Sequence, residues 1–175
     1  MSRRTNRIAA ATLVLLASVS SSARDSEPLA TPACRPFLRI FHLSAQHEYA
    51  QMEAAATEYL ASFGDEYTAY EQLALACYAQ GKDDLAIAAL QRALSAPHKC
   101  KELAWPGRQD QWSIHLHIAA IVRPLDLERS TQEFALAKRD IERQHRRRIS
   151  SADFNAIAKV GSDHLAELRS HAAPQ

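Results

Sequence analysis

The scarcity of glycine is the feature that most narrows what this chain can fold into. Only four glycines occur in 175 residues. That is too few for an all-β fold with many tight turns, or for the glycine-rich loops that hold dinucleotides and phosphates. Alanine, leucine, glutamate, glutamine and arginine, the strong helix formers, are abundant instead. Since 47% of the residues are hydrophobic, the chain can bury one core, and we predict a single all-α domain.

The charge balance gives no general argument for binding nucleic acid or a membrane surface, because 21 basic residues face 20 acidic ones. The one charge-dense run is Lys138–Arg148. Such a run is usually a solvated helix end, where cations are favoured by the helix dipole. The sharper alternative is a docking patch for an acidic partner.

The first 23 residues have the pattern of a secretory signal peptide. Met1–Arg7 carries three arginines and no acid, an apolar run Ile8–Val19 follows, and Ser21–Ala23 offers small residues before a cut. We therefore expect residues 1–23 to be removed, residues 24–33 to form a disordered lead-in, and no transmembrane segment to remain. The general export route is favoured over the twin-arginine route, which places the mature protein in the periplasm or outside the cell.

The remaining chain predicts helices joined by brief turns. Apolar spacing, glycine stops, prolines and capping residues mark their ends. The predicted helices are Glu48–Phe63, Tyr67–Gln80, Asp83–Ser95, Gln109–Val122, Leu125–Arg148 and Ser151–His171. The segment Trp112–Ile118 alternates as a strand would, but no partner strand is evident and a helix is favoured.

A motif recurs along these helices. Its clearest copy combines a large residue, a Leu-Ala pair, a turn glycine, small packing residues and a closing proline, at Tyr70, Leu73, Ala74, Cys77, Gly81, Ala86, Leu90, Ala93 and Pro97. Met52 and Ala86 are 34 positions apart, and Ser130 follows after a ten-residue insertion around Lys99–Gly107. This pattern resembles the tetratricopeptide repeat. The resemblance implies a short right-handed solenoid over residues 34–172, with units at about 34–66, 67–97 and 111–144 and a capping helix at about 151–171. In the last unit His117 stands where the family has a packing leucine.

The resemblance also implies which cysteines pair. The starts of first helices and the ends of second helices gather at one edge of stacked hairpins, which brings Cys34 and Cys100 together. Cys77 lies about 15 Å away along its helix, beyond the reach of a disulfide. We therefore predict a Cys34–Cys100 disulfide, with Cys77 a reduced core residue.

Eight histidines suggest a metal site, but no known ligand spacing is present. His115 and His117 are two apart and face different sides of a helix. No nucleophile turn occurs and the carboxylates are scattered, so we predict no cofactor, no metal and no catalysis.

In proteins with this repeat, the exposed faces of the first helices line the inside of the superhelix. Here that face would present aromatic and aliphatic side chains with a few polar anchors, namely Phe37, Phe41, Leu75, Tyr78 and Trp112 with Glu71, His115 and Arg123. The alternative is that the terminal helix folds back and covers the face as core.

We therefore expect an exported binding module or adaptor that holds a peptide or protein segment on this concave surface. One alternative is an inhibitor or immunity-type protein that blocks a target enzyme. The other is a small all-α enzyme or metal binder that uses its histidines.

Overall fold

Helices and connecting turns account for all of the described chain, residues 34–100 and 111–172 of a computed structural model. Over these residues there are seven α-helices and no strand. They are α1 (Pro36–Ala45), α2 (Tyr49–Phe63), α3 (Tyr67–Ala79), α4 (Asp83–Ser95), α5 (Gln111–Val122), α6 (Leu127–His145) and α7 (Ser151–Ala172). The predicted all-α fold is confirmed. The predicted signal peptide 1–23, the lead-in 24–33 and most of the predicted insertion lie outside the described residues.

Local capping explains where the helices begin. The Glu66 side chain accepts a hydrogen bond from the Ala69 amide at 2.8 Å and starts α3. Asp126 does the same for the Arg129 amide at 2.9 Å, so α6 begins at Leu127 rather than at the predicted Leu125. The Ser150 hydroxyl accepts from the Asp153 amide at 3.1 Å ahead of α7, as its capping sequence predicts.

Left-handed backbone positions explain where several helices end. Gly64 and Gly81 both have φ of 76°, a conformation that glycine adopts at little cost, and they follow α2 and α3. Arg146 has φ of 50° and ends α6 at His145, three residues before the predicted Arg148. The Arg147 amide then donates to the Glu142 carbonyl, which satisfies one of the open carbonyls of the last turn.

The helices pack mainly with their neighbours in the chain. α3 with α4 and α5 with α6 form the closest pairs, α2 packs on both α1 and α3, and α4 contacts α5 less extensively. α7 departs from this order, because it turns back and packs on both α3 and α5. All seven helices belong to one compact unit.

Small residues let the first four helices approach closely. Ala86 and Ala93 on α4 are fully buried, as are Ala56 on α2 and Ala69 on α3. Larger side chains fill the spaces between them, including Leu90 with no exposed surface. Each fully buried aliphatic or aromatic side chain of this size stabilises the fold by about 1.5–3 kcal/mol.

A second apolar cluster joins α5, α6 and α7. Leu116, Ala137, Ile141 and Phe154 form its buried centre. The partly buried side chains packed around it are Trp112, Phe134, Ile149, Ile157 and Ala158. This cluster packs the start of α7 against α5 and α6.

A disulfide links Cys34, just before α1, with Cys100, just after α4. Their Cα atoms are 5.6 Å apart and the bond spans a sequence separation of 66 residues. Cys77 is buried and unpaired on α3. The predicted pairing and the predicted reduced cysteine are both confirmed.

Among the described residues, no helix is both long enough and apolar enough to span a membrane.

Candidate functional site

The residues predicted to line a concave binding face do not form one open surface. Phe37 has no exposed surface, because its ring packs on Tyr59 with 4.4 Å between centroids and on Phe41 at 6.0 Å. Leu75 is only 9% exposed. The prediction that these two side chains meet a partner is wrong for this conformation, since both are core residues. Phe41 is half-buried beside Phe37.

The terminal helix α7 lies against both α3 and α5. The Arg169 guanidinium sits over the Tyr78 ring, 4.0 Å from its centroid, and also pairs with Asp83. Near the end of the same helix, the His171 ring stacks on His47 with centroids 4.0 Å apart. The face that the sequence assigns to a partner therefore holds the chain's own terminal helix, which is the alternative considered above.

Trp112 belongs to the second apolar cluster rather than to a binding face. It packs beside Leu116 and Phe154, and its indole Nε1 is buried without a hydrogen-bond partner. Trp112 is half-buried against residues of α5, α6 and α7, so it is less exposed than the predicted role as an aromatic anchor requires. Substitution of Trp112 would therefore disturb the fold and could not isolate a binding effect.

His115, predicted as a polar anchor for a partner, bridges α5 and α6 instead. Its Nδ1 lies 2.6 Å from Glu133 Oε2 and its Nε2 lies 3.7 Å from Asp140 Oδ2. The three side chains are only 12–15% exposed. His115 Nδ1 is therefore hydrogen-bonded to Glu133, whereas the separation between Nε2 and Asp140 is too long for a hydrogen bond. Glu71, the other predicted anchor, is half-buried on α3 and has an interaction within the chain.

Two predicted residues do come together, at a cleft beside the middle of α7. The cleft has a volume of about 500 Å³. Its walls come from α3, from the end of α5 and the turn that follows, and from α7, namely Tyr78, Ala120, Arg123, Pro124, Ser162, Leu165 and Ala166. Arg123 is exposed and forms no ion pair with any described residue. The cleft thus combines a largely apolar lining with one available cation.

A histidine pair lies where α5 meets α7, with His117 buried and His164 half-buried. The rings of His117 and His164 are 6.0 Å apart between centroids. His117 is 8% exposed, and its Nδ1 has no hydrogen-bond partner. Burial, reinforced by the nearby His164, lowers the pKa of His117 to about 4. Burial also lowers the pKa of His164, against an opposing pull from Glu167. Both rings are therefore neutral near pH 7.

The remaining candidate groups offer little chemistry. Burial raises the pKa of the Cys77 thiol to about 11, so it is protonated and a poor nucleophile. Within residues 34–100 and 111–172, no three histidine, cysteine, aspartate or glutamate side chains are grouped as metal ligands. The arginines of Lys138–Arg148 are exposed at the end of α6 and in the turn after it.

Sequence reasoning missed three polar residues of α7 that contact the preceding helices and turns, namely His164, Arg169 and His171. All three lie on a helix whose apolar residues predicted a cap on the last repeat. A helical cap can pack on the end of a solenoid or across its inner face, and the spacing of Leu165 and Leu168 is the same in both cases. The signal available in the sequence was the clustering of His164, Arg169 and His171 within two turns of one helix.

In comparisons with known proteins, no family model, no curated protein and no solved structure matches this chain.

Proposed function

We propose that this chain is an exported, tetratricopeptide-like binding module that holds a peptide or protein segment against α3 and α5. The observation that carries the proposal is the cleft beside α7, because it brings Tyr78 and Arg123 to one concave, largely apolar site. The site is shallow and open rather than enclosed, which suits a segment lying along the surface better than a small molecule. No catalytic role is proposed, since His115 Nδ1 is bonded to Glu133 and Cys77 is buried.

The lining defines the kind of segment that fits. Ala120, Leu165 and Ala166 offer apolar surface for one or two aliphatic side chains. The unpaired guanidinium of Arg123 at the rim matches a carboxylate, from an acidic side chain or a chain terminus. The favoured ligand is therefore a short peptide segment with aliphatic residues next to an acid.

The packing of α7 on α3 and α5 supports the proposal that this surface binds a peptide segment. α7 buries Leu165 and Leu168 against the body, so this face already holds an apolar helical segment. A partner segment entering the cleft would extend a surface that is complementary to helices.

Export is supported by the Cys34–Cys100 disulfide, because structural disulfides persist chiefly in oxidising compartments. Intact-mass analysis of protein from the periplasm of an expressing bacterium tests this part. We expect a chain that begins at Arg24. Recovery of a membrane-bound chain that still begins at Met1 would contradict it.

Peptide selection tests the binding site. The mature chain would be screened against a random displayed peptide library, and selected peptides measured by fluorescence anisotropy. We expect Arg123→Glu to weaken their binding about tenfold or more, since the charge contact becomes repulsive. The matched control is Arg147→Glu, the same reversal on the exposed basic run after α6, which should leave affinity unchanged.

The two reversals separate the two surfaces. If Arg147→Glu weakens binding and Arg123→Glu does not, the basic run Lys138–Arg148 is the docking surface for acidic partners and the cleft proposal fails. The near-ultraviolet circular dichroism of both variants must match that of the parent chain, because both side chains are exposed.

A further inference from the structure

The contacts that hold α7 on the body involve an unusual number of histidines. His164 faces His117 of α5, and His171 stacks on His47 in the turn between α1 and α2. Four of the eight histidines in the chain therefore meet in pairs across the α7 contacts. Like residues paired in this way pack well when neutral and repel each other when charged.

The His117–His164 pair is the more enclosed of the two. His117 is 8% exposed and its Nδ1 has no hydrogen-bond partner, so no neighbouring group compensates a positive charge on this ring. A proton on His117 would place a cation in an apolar contact, which is costly unless the charge is paired or solvated. Solvation requires that α5 and α7 separate.

The charged groups on the surrounding helices do not offset this cost. On α7 itself, Glu167 acts on His164 but also lies 3.8 Å from His171 Nε2. On α6, Glu133 and Asp140 both face His115. Next to α3, Asp83 is paired with Arg169. His117 is thus left with only a second imidazole as its titratable neighbour.

We propose that the contact between His117 and His164 holds α7 on α5 at neutral pH. Protonation of this pair releases α7 from α5 and exposes the surface of α5 that α7 covers. Release exposes His117 on α5 and His164 on α7 to water, where each ring can hold a proton. Helices α1–α4 stay together, because the Cys34–Cys100 disulfide closes them and neither histidine of the pair lies in that region. This inference concerns the attachment of α7 alone, so it stands or falls without any partner.

The lowered pKa of His117, about 4 when α7 is docked, sets the size of the expected effect. A released His117 recovers an ordinary imidazole pKa of about 6.5. The docked state binds the proton less well, so docking is favoured at neutral pH and weakens as the pH falls through this window. By linkage, the equilibrium for release should rise about tenfold or more between about pH 7 and about pH 5.

Hydrogen–deuterium exchange of the full mature chain, resolved by peptide and corrected for the intrinsic pH dependence of amide exchange, measures this release. We expect exchange over α7 to rise about tenfold or more on acidification, while α1–α4 change little. In the variant His117→Leu with His164→Leu, this rise should disappear, because leucine fills similar space and does not titrate. The matched control His42→Leu, the same substitution at an exposed histidine on α1, should keep the rise.

A covalent lock provides a second arm that does not alter the histidines. A Cβ added at Gly161 on α7 would lie 3.8 Å from the Leu116 Cβ on α5, a separation that suits a disulfide. The oxidised variant Leu116→Cys with Gly161→Cys should therefore keep α7 protected at about pH 5. Leu116→Ser with Gly161→Ser, which cannot form the bond, should retain acid release.

Three results would overturn the proposal. One is an α7 that stays equally protected at both pH values in the parent chain. Another is an acid response that persists in the double leucine variant. The third is simultaneous opening of α1–α4 with α7, which would mean global acid unfolding rather than release of one helix.

Discussion

The four helices between Cys34 and Cys100 and the three helices that follow Gln111 are held together by different means. The first region is closed by a covalent bond across 66 residues and packed with alanines and aromatic rings. The second has no covalent link among its described residues and relies on the cluster around Leu116, on His115 with its two carboxylates, and on the contacts of α7. The first region is therefore covalently closed, and we expect any response to pH to begin in the second.

The titratable groups of the two regions also differ in how far they are exposed to solvent. In the first region, Glu53 accepts hydrogen bonds from Lys82 at 2.6 Å and Gln80 at 2.7 Å, near solvent. In the second, the side chains of His115, Glu133 and Asp140 are 12–15% exposed and His117 is 8% exposed. Enclosed titratable groups couple protonation to structure far more strongly than exposed ones. The acid response of the molecule should therefore begin in the second region.

Removal of the disulfide is expected to have the largest effect. Cys34→Ser with Cys100→Ser should lower the free energy of unfolding by about 4 kcal/mol, because the unfolded chain regains the entropy of an open loop of this length. Denaturant unfolding followed by circular dichroism measures it. The control Cys77→Ala should cost clearly less. Equal losses in the two variants would show that loop closure is not what distinguishes the first region.

Truncation in the second cluster is expected to come next. Phe154→Ala on α7 should cost about 3 kcal/mol, since this ring is buried among Leu116, Ala137 and Ile141. The same measurement on Val160→Ala, at a 38% exposed position of the same helix, should show a change of less than about 0.5 kcal/mol. If the two variants behave alike, the cluster does not anchor α7.

The exposed contact at Glu53 should give the smallest effect. The hydrogen bond from Lys82 lowers the pKa of Glu53 below its ordinary value of 4.5, against the opposing effect of burial. The stability that this hydrogen bond adds is fully present above about pH 4.5. It is lost as the pH falls through the lowered pKa of Glu53. Glu53→Gln should lower Tm by less than about 5 °C at neutral pH and by still less in acid. If Glu53→Gln lowered Tm more in acid than at neutral pH, the lowered pKa assigned to Glu53 would be contradicted.

Much of the architecture follows from local sequence signals. The glycine stops and capping residues predicted helix ends to within about three residues, and α4 was predicted with both ends correct. The cysteine pairing was also predictable, because it depends on which ends of successive helices share an edge. These features involve neighbours in the chain, whose relative positions short turns restrict.

The position of α7 was harder to predict, because it depends on contacts between residues far apart in the sequence. Nothing local to Leu165 or Leu168 distinguishes a cap on the last helices from a helix laid across α3 and α5. The same uncertainty misplaced Trp112 and Leu75 on an open face, although their spacing along the helices was correct. Periodicity identifies an apolar face, but it does not identify what covers that face.

The disulfide has a mechanical consequence for a chain under tension. When force is applied between the two ends of the chain, it passes from Cys34 to Cys100 through the disulfide and bypasses α1–α4. Only the segments outside this bond then bear load and extend, so α7 and its contacts yield while the first four helices remain shielded. The bypassed segment represents about 220 Å of contour length. That length becomes available to stretching only after the bond is reduced.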